Sequence, residues 1–190
     1  MTEVVAIGAS AGAVEALSKI LPKLKADLAV PIVVVVHLPR NRDSLLVDIL
    51  QAKCRIRVKE AEDKEPLTPG AVYFAPPDYH VLVESDRRLS LSSEEPVHFS
   101  RPSIDVLFES CAESFPEETV AIVLTGANSD GADGAAKVCA AGGKVIVQQP
   151  MGAYASEMPN AALAACPSAS VLNLDEITDY LNRIPVKEAP

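Results

Sequence analysis

The fold is decided by residues 4–12, VVAIGASAG, which are followed directly by AVEAL at residues 13–17. Apolar, β-favouring residues lead into the pattern Gly-x-Ser-x-Gly, and an Ala/Leu-rich helical pattern begins behind it. A strand, a sharp turn and a helix in this order are what a nucleophile elbow requires, with Ser10 at the tip of the turn. The small residues Gly8 and Gly12 let neighbouring groups approach closely. The turn also directs the amide of Ala11 toward an anion in front of the serine.

A nucleotide-binding βα unit is a second interpretation of the same residues. In such a unit Gly8 and Gly12 would admit a phosphate, and Ser10 would cap the helix. The chain has neither a Walker lysine nor a complete Gly-x-Gly-x-x-Gly, and residues 37–40 (HLPR) stand where a ribose-binding acid would be expected. Because a five-residue motif often matches by chance, the choice depends on the rest of the chain.

Length and composition predict one ordinary α/β domain. We expect this domain to span residues 1–185 of the 190, with residues 186–190 as a C-terminal tail. Hydrophobic residues make up 48% of the chain and charged residues 23%, which is typical of a globular protein. The net charge of -9 disfavours nucleic acid and anionic membranes as partners, because both attract Lys and Arg. The longest apolar run, residues 31–36, is too short to cross a bilayer.

The cysteines predict neither a metal site nor a disulfide framework. No Cys-x-x-Cys pair occurs, and no histidine lies at metal-ligand spacing from any of Cys54, Cys111, Cys139 and Cys166. We interpret the four thiols as small apolar groups in a reducing compartment, and therefore expect a cytoplasmic protein. Hydrolysis through an acyl-enzyme on a serine would call for neither a metal nor a cofactor.

Two further apolar runs predict buried strands of a parallel sheet. Residues 31–36 (PIVVVV) show no polar alternation, as expected of a strand covered on both faces, and His37 follows them. Residues 120–124 (VAIVL) lead into a polar, glycine-bearing loop with Asp130 as its central acid. Open α/β sheets place their chemistry at the carboxyl ends of such strands.

Other roles are open to both polar residues. His37 could simply satisfy a backbone carbonyl, although His80 and His98 lie in more polar surroundings and are weaker candidates for a base. Asp130 could cap the helix that follows it. A calcium loop is excluded, because Ala132 occupies a ligand position and no glutamate closes the loop.

The remaining elements complete a doubly wound sheet. The patterns predict a helix over 43–50 with Leu45, Leu46, Ile49 and Leu50 on one side, and a surface connection over 59–69. They also predict an antiparallel hairpin added to the main sheet (79–84 and 88–91) and a helix opened by Pro102. Further strands are predicted at 71–75, 144–147 and 170–172, and further helices at 12–24, 131–140 and 159–165. Asn173 and Glu176 form a capping box for the last helix.

A serine, a histidine and an aspartate thus follow three different buried strands. In a doubly wound, mostly parallel, Rossmann-like sheet these ends line one edge, so Ser10, His37 and Asp130 can converge. A serine hydroxyl needs an imidazole to take its proton, and the imidazole needs a carboxylate to fix its tautomer. The order Ser, His, Asp differs from the Ser, acid, His order of the α/β-hydrolase fold.

Several motifs together resemble the catalytic domain of the bacterial chemotaxis protein-glutamate methylesterase family, CheB. They are IGASAG at 7–12, VHLP at 36–39, RPSIDVLF at 101–108, LTG at 124–126, DGA at 130–132 and EMP at 157–159. The resemblance implies that Ser10 is the nucleophile, His37 the general base and acid, and Asp130 the orienting carboxylate. It also implies hydrolysis of γ-glutamyl methyl esters on chemoreceptors, with deamidation of selected glutamines.

The sequence departs from the family pattern at three positions. Ala13 replaces a glycine behind the nucleophile, and Ala127-Asn128 replaces Met-Gly before Asp130. The amide of Ala127 can still donate to an oxyanion together with that of Ala11. Most members carry a phosphorylatable receiver domain that is not found in this sequence. The resemblance then implies no phosphorylation control in cis, unless the sequence is a fragment or a separate response regulator or kinase controls the activity.

Two other functions stay open at this stage. One is a CheB-like binding or adaptor module with a weak or inactive site, and the other is a small-molecule esterase. The expected partner of the active enzyme is a methylated chemoreceptor or another methylated signalling protein.

Overall fold

A seven-stranded parallel sheet lies at the centre of the fold. The computed structural model describes residues 2–37 and 45–185. Its strands are β1 (Val4–Ala9), β2 (Ile32–Val36), β3 (Arg57–Glu60), β4 (Ala71–Phe74), β5 (His80–Val83), β6 (Leu89–Ser92), β7 (Thr119–Val123), β8 (Lys144–Gln148) and β9 (Ser170–Leu172). The order in the large sheet is β3-β4-β2-β1-β7-β8-β9, and every neighbouring pair is parallel.

Helices cover both faces of this sheet. They are α1 (Ala13–Ile20), α2 (Leu45–Gln51), α3 (Ile104–Ser114), α4 (Ala132–Ala140), α5 (Glu157–Ala165) and α6 (Leu174–Asn182). The apolar sides of α1, α2 and α6 pack in one core cluster, and those of α3, α4 and α5 pack in a second cluster on the opposite face. The predicted doubly wound α/β fold is therefore confirmed.

The predicted antiparallel hairpin is present, but it is not added to the main sheet as predicted. Strands β5 and β6 pair with each other and form a separate two-stranded sheet. The hairpin is held against α3, because the amide of Val83 donates to Ser110 Oγ at 3.0 Å and Ser114 Oγ donates to the Val83 carbonyl at 2.8 Å.

Two local predictions were wrong. The surface connection predicted over 59–69 overlaps the edge strand β3. The sequence of β3, RVKE, is mostly charged, and Val58 is its one buried residue, so no apolar pattern marks it as a strand. In α2 Leu46 and Leu50 are buried in the core and Val47 packs against it, whereas Leu45 and Ile49 are exposed. Each residue turns the helix by about 100°, so the second pair points away from the first.

Helix ends also differ from expectation in two places. The first helix changes to a 3-10 turn (Leu21–Lys23), because Pro22 has no N–H to continue the α-helical bonding. Helix α3 begins at Ile104, and Ser103 rather than Pro102 precedes it directly. The capping box of α6 is confirmed, since Asn173 Oδ1 accepts from the amide of Glu176 and the Glu176 side chain accepts from the amide of Asn173.

Within residues 2–37 and 45–185, no helix combines the length and the apolar character that a membrane span requires. The predicted tail at 186–190 and residues 43–44 of the predicted helix lie outside the described residues. The single-domain boundary at residue 185 stays a prediction.

Candidate active site

Strand register brings the predicted site residues to one edge of the sheet. Strand β1 lies between β2 and β7, with Ala9 opposite Val36 and Gly8 opposite Val123. Ser10 therefore follows β1 at the level where His37 follows β2. The His37 amide donates to the Ala9 carbonyl at 3.2 Å, which extends the sheet by one more bond.

The turn at Ser10 is held by backbone bonds and by close side-chain packing. The Ser10 amide donates to the Thr125 carbonyl at 2.9 Å, and the Ser10 carbonyl accepts from Ala13 at 2.9 Å. Gly12 has a φ of 83°, and a Cβ there would lie 2.5 Å from the Cβ of Tyr154. The turn thus requires glycine both for its backbone conformation and for space.

Thr125 ties the serine turn to a second loop. Its buried hydroxyl donates to the Ala11 carbonyl at 2.7 Å and accepts from the Ala155 amide at 2.9 Å. Its own amide donates to Gln148 Oε1 at 2.9 Å. The backbone on both sides of the serine is therefore positioned by a residue that follows β7.

His37 and Asp130 form the central pair of the site. The distance from His37 Nε2 to Asp130 Oδ2 is 2.7 Å, and the Asp130 side chain is only 1% exposed. Within residues 2–37 and 45–185, Ser10 Oγ makes no hydrogen bond to His37, so the structure brings the serine to the same edge without a hydrogen bond to the imidazole.

Asp130 also caps a helix, although not the one that follows it. Helix α4 has no side-chain cap. Instead the Asp130 carboxylate accepts from the Ile104 amide at 2.7 Å, from the Asp105 amide at 3.0 Å and from Ser103 Oγ at 2.9 Å, all at the start of α3. The proposed cap of the following helix is therefore wrong, and Asp130 links the N-terminus of α3 to His37.

The buried carboxylates respond oppositely to this environment. Burial raises the pKa of Asp130, but hydrogen bonds from His37, Ile104 and Asp105 outweigh it and hold that pKa below 3.8. Asp105 is also buried, and its carboxylate accepts from the Gly134 amide at 2.7 Å. Burial, opposed by that bond and reinforced by the charge of Asp130, raises the pKa of Asp105 to about 6. Between their two pKa values, Asp130 is ionised while the adjacent Asp105 keeps a proton.

His80 lies behind the site and is almost fully buried, contrary to the polar surroundings predicted for it. Its Nδ1 accepts from the Ser103 amide at 3.1 Å, and its Nε2 lies 3.2 Å from the Glu95 carbonyl. Because an amide can only donate, the ring carries its proton on Nε2. His80 therefore supports the residue that precedes α3 and does not reach Asp130 itself.

The predicted oxyanion donors follow the neighbouring strands β1 and β7. Ala11 follows the serine directly, and Ala127 is exposed in the loop that leads to Asp130. Among the described residues neither amide donates a hydrogen bond. In the same loop Asn128 contacts His37, since its Nδ2 lies 3.2 Å from His37 Nδ1.

One group of side chains in the described residues has a spacing compatible with a metal ion. Ligand atoms of His98, Asp105 and Asp133 lie within 4.8 Å of one another. His98 and Asp133 are exposed, and Asp105 already accepts a backbone bond from Gly134. The group includes Asp105 of α3, whose amide donates to the Asp130 carboxylate at 3.0 Å, so it adjoins the His37–Asp130 pair. The expectation that the chemistry uses no metal stays a prediction.

The comparison with known families decides the family of this chain. The model of the CheB methylesterase family matches residues 5–181. The chain belongs to the CheB methylesterase family. The crystal structure of the CheB methylesterase catalytic domain of Thermotoga maritima superposes with a TM-score of 0.92 and 32% identity, covering 97% of this chain and all of that one. The predicted resemblance to CheB is thereby confirmed.

Curated CheB relatives agree in sequence over nearly the whole chain. A candidate protein-glutamate methylesterase/protein-glutamine glutaminase of Leptospira interrogans is 44% identical over 182 residues, which cover 96% of this chain and 94% of that protein. The Azospirillum brasilense protein-glutamate methylesterase/protein-glutamine glutaminase is 34% identical over 98% of this chain, but the match spans only 48% of that protein.

Several residues around the CheB-type site escaped the sequence analysis. They are Thr125, Gln148, Ser103 and Tyr154, and His80 was considered only as a weaker candidate for the base. Thr125 and Ser103 lie within the motifs LTG and RPSIDVLF that carried the resemblance, so those motifs marked them without revealing their contacts. No local pattern marks Gln148, His80 or Tyr154.

Proposed function

We propose that this chain hydrolyses the γ-methyl esters of methylated glutamate side chains on chemoreceptors, through an acyl-enzyme on Ser10. The observation that carries the proposal is the 2.7 Å bond between His37 and the buried Asp130, beside a serine on a tight strand-to-helix turn. A charged carboxylate stabilises the imidazolium that forms when a histidine takes a proton from serine. The family and the names of the CheB relatives support the substrate class.

The contacts of His37 assign a role to each ring nitrogen. Nε2 carries a proton and donates to Asp130, so Nδ1 is the nitrogen that can accept one. In the proposed first step Ser10 Oγ attacks the ester carbonyl while its proton passes to Nδ1 of His37. The amides of Ala11 and Ala127 donate to the resulting oxyanion. The C–O bond to the methoxy group then breaks, and His37 returns the proton so that methanol leaves.

Water completes the cycle. It attacks the acyl-serine carbonyl, gives its proton to His37, and releases the glutamate side chain when Ser10 recovers that proton. The same steps on a glutamine side chain release ammonia instead of methanol, in line with the glutaminase part of the relatives' names.

A groove beside Gly12 is lined by residues of α1 and by Thr125, Met151 and Tyr154, and Ser10, His37 and Asp130 are not among its lining residues. The family and the names of the relatives, rather than this groove, support a protein substrate. The partner in this proposal is a methylated chemoreceptor or another methylated signalling protein.

The proposal extends to setting and control. All four cysteines are free, which fits a cytoplasmic, reducing environment.

In this proposal a separate response regulator or kinase controls the activity. Adding such partners, phosphorylated and unphosphorylated, to the methylesterase assay tests this.

Labelling with a fluorophosphonate tests the nucleophile. We expect the wild type to form a covalent adduct that peptide mass spectrometry locates at Ser10, and expect Ser10→Ala to form none. Ser129→Ala, which removes an exposed serine from the loop before Asp130, is the matched control and should label like the wild type. A folded wild type that does not label would contradict the proposal and favour a binding module.

A further inference from the structure

Asn128 joins the two ends of the His37–Asp130 pair. Its Oδ1 accepts from the backbone amide of Asp130 at 3.2 Å, and its Nδ2 lies 3.2 Å from His37 Nδ1. His37 Nε2 in turn lies 2.7 Å from Asp130 Oδ2. The three residues therefore form a closed ring of hydrogen bonds, in which Asn128 is half-buried.

The donors in this ring leave one consistent arrangement of protons. The amide of Asp130 can only donate, so the atom of Asn128 that faces it is the carbonyl oxygen. The other side-chain atom is then the NH₂ group, which donates to Nδ1 of His37. A nitrogen that accepts carries no proton, so the imidazole proton resides on Nε2 and is donated to Asp130.

This arrangement holds His37 in the tautomer that can act as a base, but it also occupies the lone pair that would accept the proton. The base nitrogen, Nδ1, has a single lone pair in the ring plane, and this lone pair must receive the proton of Ser10. In the structure Asn128 donates to that lone pair, and no hydrogen bond joins Ser10 Oγ to His37 within the described residues. A hydrogen bond from Ser10 to Nδ1 therefore requires the bond from Asn128 to break.

We propose that Asn128 is a positioning residue that holds His37 in its base-competent tautomer and masks the base nitrogen in the free protein. This role rests on the hydrolysis proposed above. It predicts that binding of the substrate displaces the Asn128 amide, after which Ser10 takes its place at Nδ1. The residue is a departure from the glycine that the CheB pattern has here, so the mask is a property of this chain.

Two variants should change the reactivity of Ser10 in opposite directions. Asn128→Gly removes the donor, and we expect the second-order rate constant of fluorophosphonate labelling to rise about fivefold, since the lost bond is an ordinary neutral one. Asn128→Asp keeps the shape but accepts instead of donating. Its carboxylate favours a proton on Nδ1 as well, and we expect labelling at neutral pH to slow at least about tenfold. Ser129→Ala is the control for a change elsewhere in this loop.

The ¹⁵N NMR shifts of the His37 ring give a readout that does not depend on activity. In the wild type we expect a protonated Nε2 and an unprotonated Nδ1, and in Asn128→Asp protons on both nitrogens. A wild type with its proton on Nδ1 would overturn the proposal. So would an Asn128→Gly variant that folds but labels no faster than a reactive wild type, and this result would leave the proposed hydrolysis intact. Labelling of neither protein, with the expected tautomer present, would instead overturn the hydrolysis and with it this role of Asn128.

Discussion

The carboxylate of Asp130 lies 2.7 Å from the backbone amide of Ile104, the first residue of α3. The same oxygen, Oδ2, lies 2.7 Å from His37 Nε2. One carboxylate therefore binds the partly positive N-terminus of a helix and the histidine at once. The helix start adds fixed dipoles that keep the carboxylate ionised, and its hydrogen bonds fix the direction in which it faces His37.

Asp130→Asn should impair both activity and folding. Four donors face the two Asp130 oxygens, and each oxygen faces one backbone amide, that of Asp105 or that of Ile104. Because a backbone amide can only donate, the NH₂ group of an asparagine opposes one such donor in either orientation. We expect methylesterase activity to fall about 10³–10⁴-fold, as for a triad that loses its carboxylate. We also expect the free energy of unfolding at pH 7 to fall by about 3 kcal/mol.

The pH dependence of that stability loss has a defined sign. Because the folded-state pKa of Asp130 is below 3.8, its stabilising contribution is present above that pH and is lost as the pH falls through the folded-state pKa. Urea unfolding of both proteins at pH 7 and at low pH measures this. A variant as stable as the wild type at pH 7 would contradict the assignment.

Asp105→Asn should stabilise the protein at neutral pH. The pKa of Asp105 is raised from 3.8 to about 6, so the folded state keeps a proton that the unfolded state has already lost. Stability therefore declines as the pH rises from 3.8 to 6, and the full cost remains above that range. Asparagine keeps an oxygen for the Gly134 amide without the charge.

We expect Asp105→Asn to gain about 1–3 kcal/mol over the wild type at pH 8 and nothing near pH 3.5. Chemical unfolding at both pH values checks this. The control Asp133→Asn removes an exposed carboxylate on the neighbouring helix α4 and should change stability by less than about 0.5 kcal/mol. A wild type that is more stable than Asp105→Asn at pH 8 would refute the prediction.

Thr125→Val should loosen the serine turn. The substitution keeps the shape of the side chain but removes the hydroxyl that donates to the Ala11 carbonyl and accepts from the Ala155 amide. We expect a loss of about 1–3 kcal/mol in stability, because two buried backbone groups lose their partner. Fluorophosphonate labelling of Ser10 should slow about tenfold. Thr125→Ser retains the hydroxyl and should stay near the wild type in both measurements, and equal behaviour of the two variants would argue against a role for this hydroxyl.

Gly12→Ala should also destabilise the serine turn, through its backbone conformation and a collision with Tyr154. Alanine at a φ of 83° costs about 1–2 kcal/mol, and its Cβ would collide with Tyr154. We expect a total loss of about 2–4 kcal/mol in the free energy of unfolding, with slower labelling of Ser10. Gly152→Ala is the control, because a Cβ at that glycine meets no atom within 4 Å. Thermal unfolding of the two variants side by side checks the difference.

The sequence predicted best what depends on short, strongly apolar strands. The runs that became β1, β2 and β7 are buried on both faces, so their ends located Ser10, His37 and Asp130 at one edge of the sheet. Strand β3 was missed because an edge strand tolerates charge, and its RVKE pattern matches a surface loop.

Contacts between residues distant in sequence were not predictable from local patterns. Asp130 is a residue type that often caps helices and lies just before α4, but it caps α3, which begins 26 residues earlier in the chain. His80 stands near charged residues in the sequence, and only the packing of the hairpin against α3 buries it beside Ser103. Such relationships arise from the tertiary fold and leave no periodic signal.

Release of methanol from a methylated chemoreceptor tests the central claim most directly. The assay compares the wild type with Ser10→Ala, and circular dichroism verifies that both are folded. The account predicts steady release of methanol by the wild type and a loss of several orders of magnitude in Ser10→Ala. Equal release by both proteins, or none by a folded wild type across several methylated receptors, would contradict it.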